Sequence, residues 1–289
     1  MFNRYFFCNF APVSERKSCK MANKILFINQ EISPYTTDTP MSILGKNLPQ
    51  SMQENGYEIR TFMPKWSNIN ERRYQLHPVQ RLSGMNLIID DTDHPLIIKV
   101  ASMPVSRITV YFIDSDDYFL KRDQVEFDTD EGYPDNGERA IFFARGVLET
   151  VKKLRWAPDV IHCQGWISAV IPLYIKSAYQ DEPSFANTKV VTTLFEKQLD
   201  KDFGSKFKQC LEFRDVKKEL LDSYNDEFDF IELGKLAIDY SDGIIVGGEE
   251  VNRELLSHAE QRHIPILTYS QDDEATTSYK TFYEQFIAK

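Results

Sequence analysis

From residue 24 onward, apolar positions fall into short continuous runs separated by amphipathic stretches. Lys24-Ile25-Leu26-Phe27-Ile28 is one such run, closed by polar Asn29-Gln30-Glu31, as expected of a parallel strand buried on both faces. Residues 42–55 place Ile43, Leu44, Leu48 and Met52 at helical spacing ahead of Gly56, which predicts a helix with a glycine stop. Residues 57–63 predict a second strand, ended by Pro64. The pattern then changes: 75–82, 85–90, 96–101 and 108–113 predict four strands joined by short polar turns, a β-rich elaboration outside the parallel core. Residues 135–154 return to helix, with Ile141, Phe142, Val147, Leu148 and Val151 on one side.

Further on, 160–162 predicts a buried strand, 167–178 a helix and 189–193 a strand. The lysine-rich stretch 205–224 predicts an amphipathic surface helix. It is followed by a helix over 230–240, a strand over 243–246, a helix over 249–258 and a last strand over 264–267. The sequence is polar from Ser270, with a short terminal helix over 279–287.

Strands alternating with crossover helices imply an α/β fold, a doubly wound parallel (Rossmann-like) sheet with a β-rich insertion. Ligands of such sheets bind beyond the C-terminal ends of the strands. The candidate site residues therefore stand at those ends: Glu31 and Tyr35, Lys65 and Trp66, His162, Gln164 and Trp166, Thr193, and Gly247-Gly248. There is no G-x-G-x-x-G and no P-loop, so a nicotinamide or nucleoside-triphosphate reading lacks its phosphate cradle.

Composition narrows this further. With 289 residues, 42% of them hydrophobic, the chain can bury one large core or two small ones. A net charge of −10 excludes the clustered basic surface that nucleic acid or an anionic membrane requires. Cys8, Cys19, Cys163 and Cys210 are scattered and form no C-x-x-C pair, which points to a reducing, cytoplasmic compartment without disulfides or structural zinc. Cys163 has no activating cation in its local sequence and is not expected to be a nucleophile. Asp90-Asp91-Thr92-Asp93-His94 lacks the glycine and terminal glutamate of a calcium loop, so no metal is expected there. Asp114, Asp116, Asp117, Asp128 and Asp130 are expected to form an acidic exposed face. Three segments follow: residues 1–20 as a disordered leader, or an upstream extension whose true start is Met21; 21–270 as the folded domain; and 271–289 as a polar tail or short helix.

The same strand ends carry a resemblance to bacterial glycogen and starch synthases. Lys24 to Phe27 through Glu31-Ile32-Ser33-Pro34-Tyr35 resembles that family's opening strand and E-x-x-P-aromatic turn. Leu48-Pro49 and Gly56 to Lys65 are similar to its next helix and strand. Asp135-Asn136 with Arg139 and Phe142 resembles a D-N-x-x-R-F helix start. Pro158 to His162 with Trp166 resembles P-D-V-(I/V)-H-x-x-x-W, and Ile231 to Val246 is similar to its last helix and strand. The resemblance implies the N-terminal half of a two-domain glycosyltransferase, without a cofactor, whose donor substrate is ADP-glucose and whose acceptor is an α-glucan or small sugar. It also implies a donor domain, supplied by a partner if not by these residues, because nothing after Val251 resembles one.

There are departures. The family's K-x-G-G-L turn has Thr37 in place of its lysine and Thr39-Pro40 in place of its glycines, and proline lacks the amide an anion would use. The family's H-x-H-D-W-H is His162-Cys163-Gln164-Gly165-Trp166-Ile167, so its last histidine is Ile167, and T-x-H-N becomes Thr193-Leu194-Phe195-Glu196. Two functions stay open: glucosyl transfer from ADP-glucose to an α-1,4-glucan, or a non-catalytic glucan-binding or regulatory domain derived from that enzyme. Residue roles stay open likewise. Glu31 meets a hydroxyl or caps its turn, His162 meets a sugar or the backbone, and Trp166 stacks on a pyranose or packs in the core.

Overall fold

The structure, a computed structural model, describes residues 22–120, 133–196, 199, 201–270 and 275–287. The expectations for the leader 1–20, for Asp128 and Asp130, and for residues 271–274 of the tail lie outside the described residues.

Buried runs become strands and amphipathic stretches become helices. In chain order, β1 (Lys24–Asn29) leads to α1 (Pro40–Glu54) and β2 (Glu58–Pro64). The elaboration follows as β3 (His77–Pro78), β4 (Met85–Ile89) and β5 (Thr92–Ser102), then β6 (Thr109–Asp114) and α2 (Asn136–Leu154). The second half runs β7 (Val160–Gln164), α3 (Ile171–Lys176), β8 (Lys189–Leu194), α4 (Phe207–Cys210), α5 (Lys218–Leu221) and α6 (Phe230–Asp239). It closes with β9 (Gly243–Val246), α7 (Arg253–Gln261), β10 (Ile266–Leu267) and α8 (Ala275–Glu284).

All strands but β4 lie in one sheet path ordered β10-β9-β8-β7-β1-β2-β6-β5-β3, with β4 paired to β5. From β10 through β6 every pairing is parallel. One face packs Ile25, Phe27, Val160 and Val191 under α1 and α8; the other packs Leu26, Ile28, Ile161 and Val190 with α2, α3 and α6. Helices on both faces make this the doubly wound α/β sheet expected. Strand order reverses between β1 and β7, so the ligand crevice belongs beyond their C-terminal ends.

Four expectations are corrected. Residues 108–113 do not belong to an outlying elaboration, because β6 pairs parallel with β2. Its Val110 and Phe112 are fully buried, whereas β4 alternates buried and exposed as a strand with one solvated face does. The strand over 75–82 shrinks to β3, with Gln75 in the left-handed region at φ 53°. The surface helix over 205–224 is broken into α4 and α5 around Arg214, which has φ 53°. Phe207, Leu211, Val216 and Leu221 are all buried there, so the segment follows the core's contour and not a solvated helix face. Asp114 is also not exposed: it is 3% accessible and pairs with Lys99 at 2.8 Å. Lys99 in turn pairs with Glu71 at 2.7 Å.

Candidate functional site

The turn after β1 builds one wall of the crevice. Thr39 is the N-cap of α1, its hydroxyl accepting from the Ser42 amide at 3.0 Å while the Ser42 hydroxyl accepts from the Thr39 amide at 2.8 Å. Pro40 occupies the first helical position, where a missing N–H is tolerated. The Thr39 hydroxyl donates to Glu31 Oε2 at 2.5 Å, and Gln30 Nε2 donates to Glu31 Oε1 at 3.4 Å. Glu31, 2% exposed, thus places its carboxylate against the positive end of α1. The cap takes the Ser42 amide, Pro40 has none to offer, and the carboxylate repels an anion at this helix end.

Glu31 and Thr39 line an open cleft of about 840 Å³, with Phe195, Glu196, Glu250 and Tyr269 opposite. Among the described residues that line it none is basic. Glu196 is hydrogen-bonded to Glu250 and faces its charge, which holds the Glu196 carboxyl above its usual range. A smaller cavity of about 50 Å³ adjoins it through shared Met41 and Phe195 and includes Gln30, Trp166 and Thr193 in its walls.

His162 lies deeper. It is fully buried beside Phe27, with ring centroids 5.4 Å apart. Its Nε2 is bonded to the Thr193 hydroxyl, and its Nδ1 to the Tyr283 hydroxyl of α8 at 2.8 Å. A neutral ring satisfies both by donating at one nitrogen and accepting at the other. Burial pushes its pKa down from 6.5 to about 3. Below pH 6.5 the unfolded chain therefore binds a proton that the folded chain refuses, and stability falls as pH drops toward 3. Urea unfolding between pH 6.5 and 4 is expected to show a loss of about 1.4 kcal/mol per pH unit from this group. That increment disappears in His162→Gln; equal slopes for both proteins would refute the assignment.

The structure therefore brings together Glu31, Thr193 and Trp166 around two adjoining cavities. Tyr35 does not line either. It packs edge-on against Tyr74 and Phe112, and burial raises its hydroxyl pKa to about 12. Gln164 is fully buried with its amide unpartnered, as is Asn29 beside it in the β1–β7 register. Lys65 is 4% exposed and pairs with Glu71 at 3.3 Å. The Trp66 indole N–H donates to the Gln30 carbonyl at 2.8 Å, beneath the Arg139 guanidinium. Sequence reasoning missed Gln30, Met41 and Glu250. Gln30 adjoins Glu31 at a strand end, a usable signal, whereas Met41 and Glu250 enter the crevice only through tertiary packing. Among the described residues no group of three or more His, Cys, Asp or Glu side chains is placed to hold a metal, and no helix is long and apolar enough to cross a membrane.

Comparison with known proteins agrees with this architecture. Residues 24–266 match the family model described as the starch synthase catalytic domain. The glycogen synthase of Chlorobaculum tepidum is 33% identical over 239 residues, covering 82% of this chain and 48% of that protein. That of Chlorobium limicola is 37% identical over 173 residues, covering 59% of this chain and 35% of that protein. The chain thus spans about a third to a half of the length of these relatives. Among solved structures, the catalytic domain of Starch Synthase IV from Arabidopsis thaliana, bound to ADP and acarbose, superposes with a TM-score of 0.70 at 17% identity. The overlap covers 86% of this chain and 51% of that one, a likeness of fold. With the opening strand, the crevice at the β1–β7 switch and a family match over most of its length, this chain belongs to the starch synthase catalytic domain family.

Proposed function

We propose that this chain is the acceptor-side half of a glucosyltransferase that moves glucose from ADP-glucose to an α-1,4-glucan in the cytoplasm, with the donor half contributed from outside these 289 residues. The observation that carries this reading is the Glu31 carboxylate, held by Thr39 at the edge of an open cleft beyond β1. A fixed carboxylate accepts from sugar hydroxyls, and Phe195 and Tyr269 offer apolar faces beside it. The relatives' names favour transfer over a purely binding role. Glu31, Trp166 and Thr193 are the residues we assign to the sugar side, with His162 positioning Thr193 from below through its hydrogen bond. Tyr35 and Gln164 are buried and line neither cavity.

Calorimetric titration with maltoheptaose tests the glucan contact. Glu31→Gln keeps an oxygen for Thr39 but removes the charge, so affinity is expected to fall about tenfold, near 1.5 kcal/mol for a lost charge-assisted hydrogen bond. Unchanged affinity would remove Glu31 from the site.

A further inference from the structure

We propose that Gln30 is a positioning residue of the crevice: with Thr39 it holds the two oxygens of the Glu31 carboxylate from separate elements, and so sets the direction in which Glu31 faces the cleft. Resting on the reading of Glu31 as a sugar contact, this names the group that fixes its orientation.

Three observations lead to it. The first is the pair of anchors. Thr39, the cap of α1, donates to Glu31 Oε2 at 2.5 Å, and Gln30 Nε2 donates to Glu31 Oε1 at 3.4 Å. A carboxylate held at one oxygen can swing about that bond, whereas one held at both keeps its plane. At 3.4 Å the Gln30 bond is the longer and weaker, so it acts on direction more than on energy. With the amide turned the other way its oxygen would face the carboxylate, so Nε2 is the atom on Glu31. The second observation is how firmly Gln30 is itself held. Its backbone N–H donates to the Gln164 carbonyl at 3.0 Å, and its carbonyl accepts from the Trp66 indole N–H at 2.8 Å. It is thus tied to the end of β7 and to the segment after β2, and is 1% exposed. An anchor orients its neighbour only if it does not move with it.

The third observation is Gly165. Its backbone stands at φ 84° and ψ 161°, a combination essentially confined to glycine. A Cβ there would lie 2.5 Å from Gln30 Oε1 and 2.6 Å from Gln30 Cβ. The H-x-H-D-W-H motif that this stretch resembles has an aspartate at the place of Gly165. Here the side chain is given up and Gln30 fills the room, so a neutral amide stands where the motif has a carboxylate. The placing of Gln30 is therefore written into two positions of this chain, not one.

A double-mutant cycle on the full chain, with maltoheptaose as probe, is the test. Gln30→Met keeps the length of the side chain and removes its donor. It is expected to weaken binding about threefold when Glu31 is present, as for one weak hydrogen bond, and to change nothing once Glu31 is Ala. Gln30→Glu keeps the shape but sets an acceptor and a like charge against Glu31, and is expected to weaken binding further. A residue that only fills space would cost the same in both backgrounds, and that result overturns the proposal. If the wild type does not bind maltoheptaose, the glucan reading of Glu31 fails, and the contact is read directly. In ¹H–¹⁵N spectra one proton of the Gln30 side-chain amide, assigned through its backbone, is expected downfield in the wild type and to move upfield in Glu31→Ala. An amide pair without a downfield proton overturns the proposal by itself, even where a variant fails to fold.

Discussion

A chain ended after Ser270 is expected to lose cooperative folding. Its composition makes the last stretch look dispensable, yet α8 puts Phe282 at 3% exposure and Tyr283 at 0% into the cluster with Ile25, Phe27, Val160 and Val191. Deleting a buried large aromatic costs about 3–5 kcal/mol. Losing the Tyr283 hydroxyl also leaves His162 Nδ1 buried without a partner, about 1–3 kcal/mol more. Together these reach the about 5–15 kcal/mol that stabilises a typical domain. Circular dichroism is expected to show no sigmoidal thermal transition for the shortened chain, or a midpoint lower by more than about 15 °C. Tyr283→Phe isolates the hydrogen bond and is expected to lower Tm by several degrees, at about 2–4 °C per kcal/mol in a protein this large. A shortened chain that melts within two or so degrees of the full one would show that α8 adds nothing to the core.

The same helix shows what could be read from the residues and what could not. The parallel strands were legible because a strand buried on both faces must be apolar at consecutive positions, as Ile25 to Ile28 are. Their C-terminal ends then named Glu31 and Thr193 before any coordinates, since topology alone places ligands there. Residues 205–224 misled because a lysine-rich stretch reads as a solvated helix, while Phe207, Leu211, Val216 and Leu221 turn inward from two short helices and the segment between them. Asp114 misled in the same manner: it was expected on an exposed acidic face, yet it is buried and paired with Lys99, which also pairs with Glu71. His162 and Tyr283 meet across 121 positions, and no local pattern encodes such a pairing. Gln30 was passed over although it adjoins Glu31 at a strand end; what the sequence does not show is that Gly165, on the neighbouring loop, leaves the room its amide occupies.

Purified alone, these 289 residues are expected to transfer no measurable glucose from ADP-glucose to glycogen. The departing diphosphate develops negative charge, and transfer needs fixed amide or cationic donors aimed at it. At the turn where the resembled family has a lysine and glycines, this chain has Thr37, Thr39 and Pro40. The structure gives the physical consequence: the Ser42 amide is bound to Thr39, Pro40 has no N–H, and the Glu31 carboxylate stands beside the cap. Glu196 and Glu250 add negative charge across the cleft. Each missing donor of this kind lowers the rate about 10²–10³-fold, so losing two or more places turnover below detection. The relatives are two to three times as long as the aligned portion, and in our reading their remaining length carries the donor side. Adding the C-terminal half of the Chlorobaculum tepidum enzyme to this chain is therefore expected to produce incorporation of labelled glucose that neither half supports alone, and to produce less of it with Glu31→Gln. Robust incorporation by the unaided chain would overturn the donor-side argument, because it would require the capped and acidic end of α1 to hold a diphosphate after all.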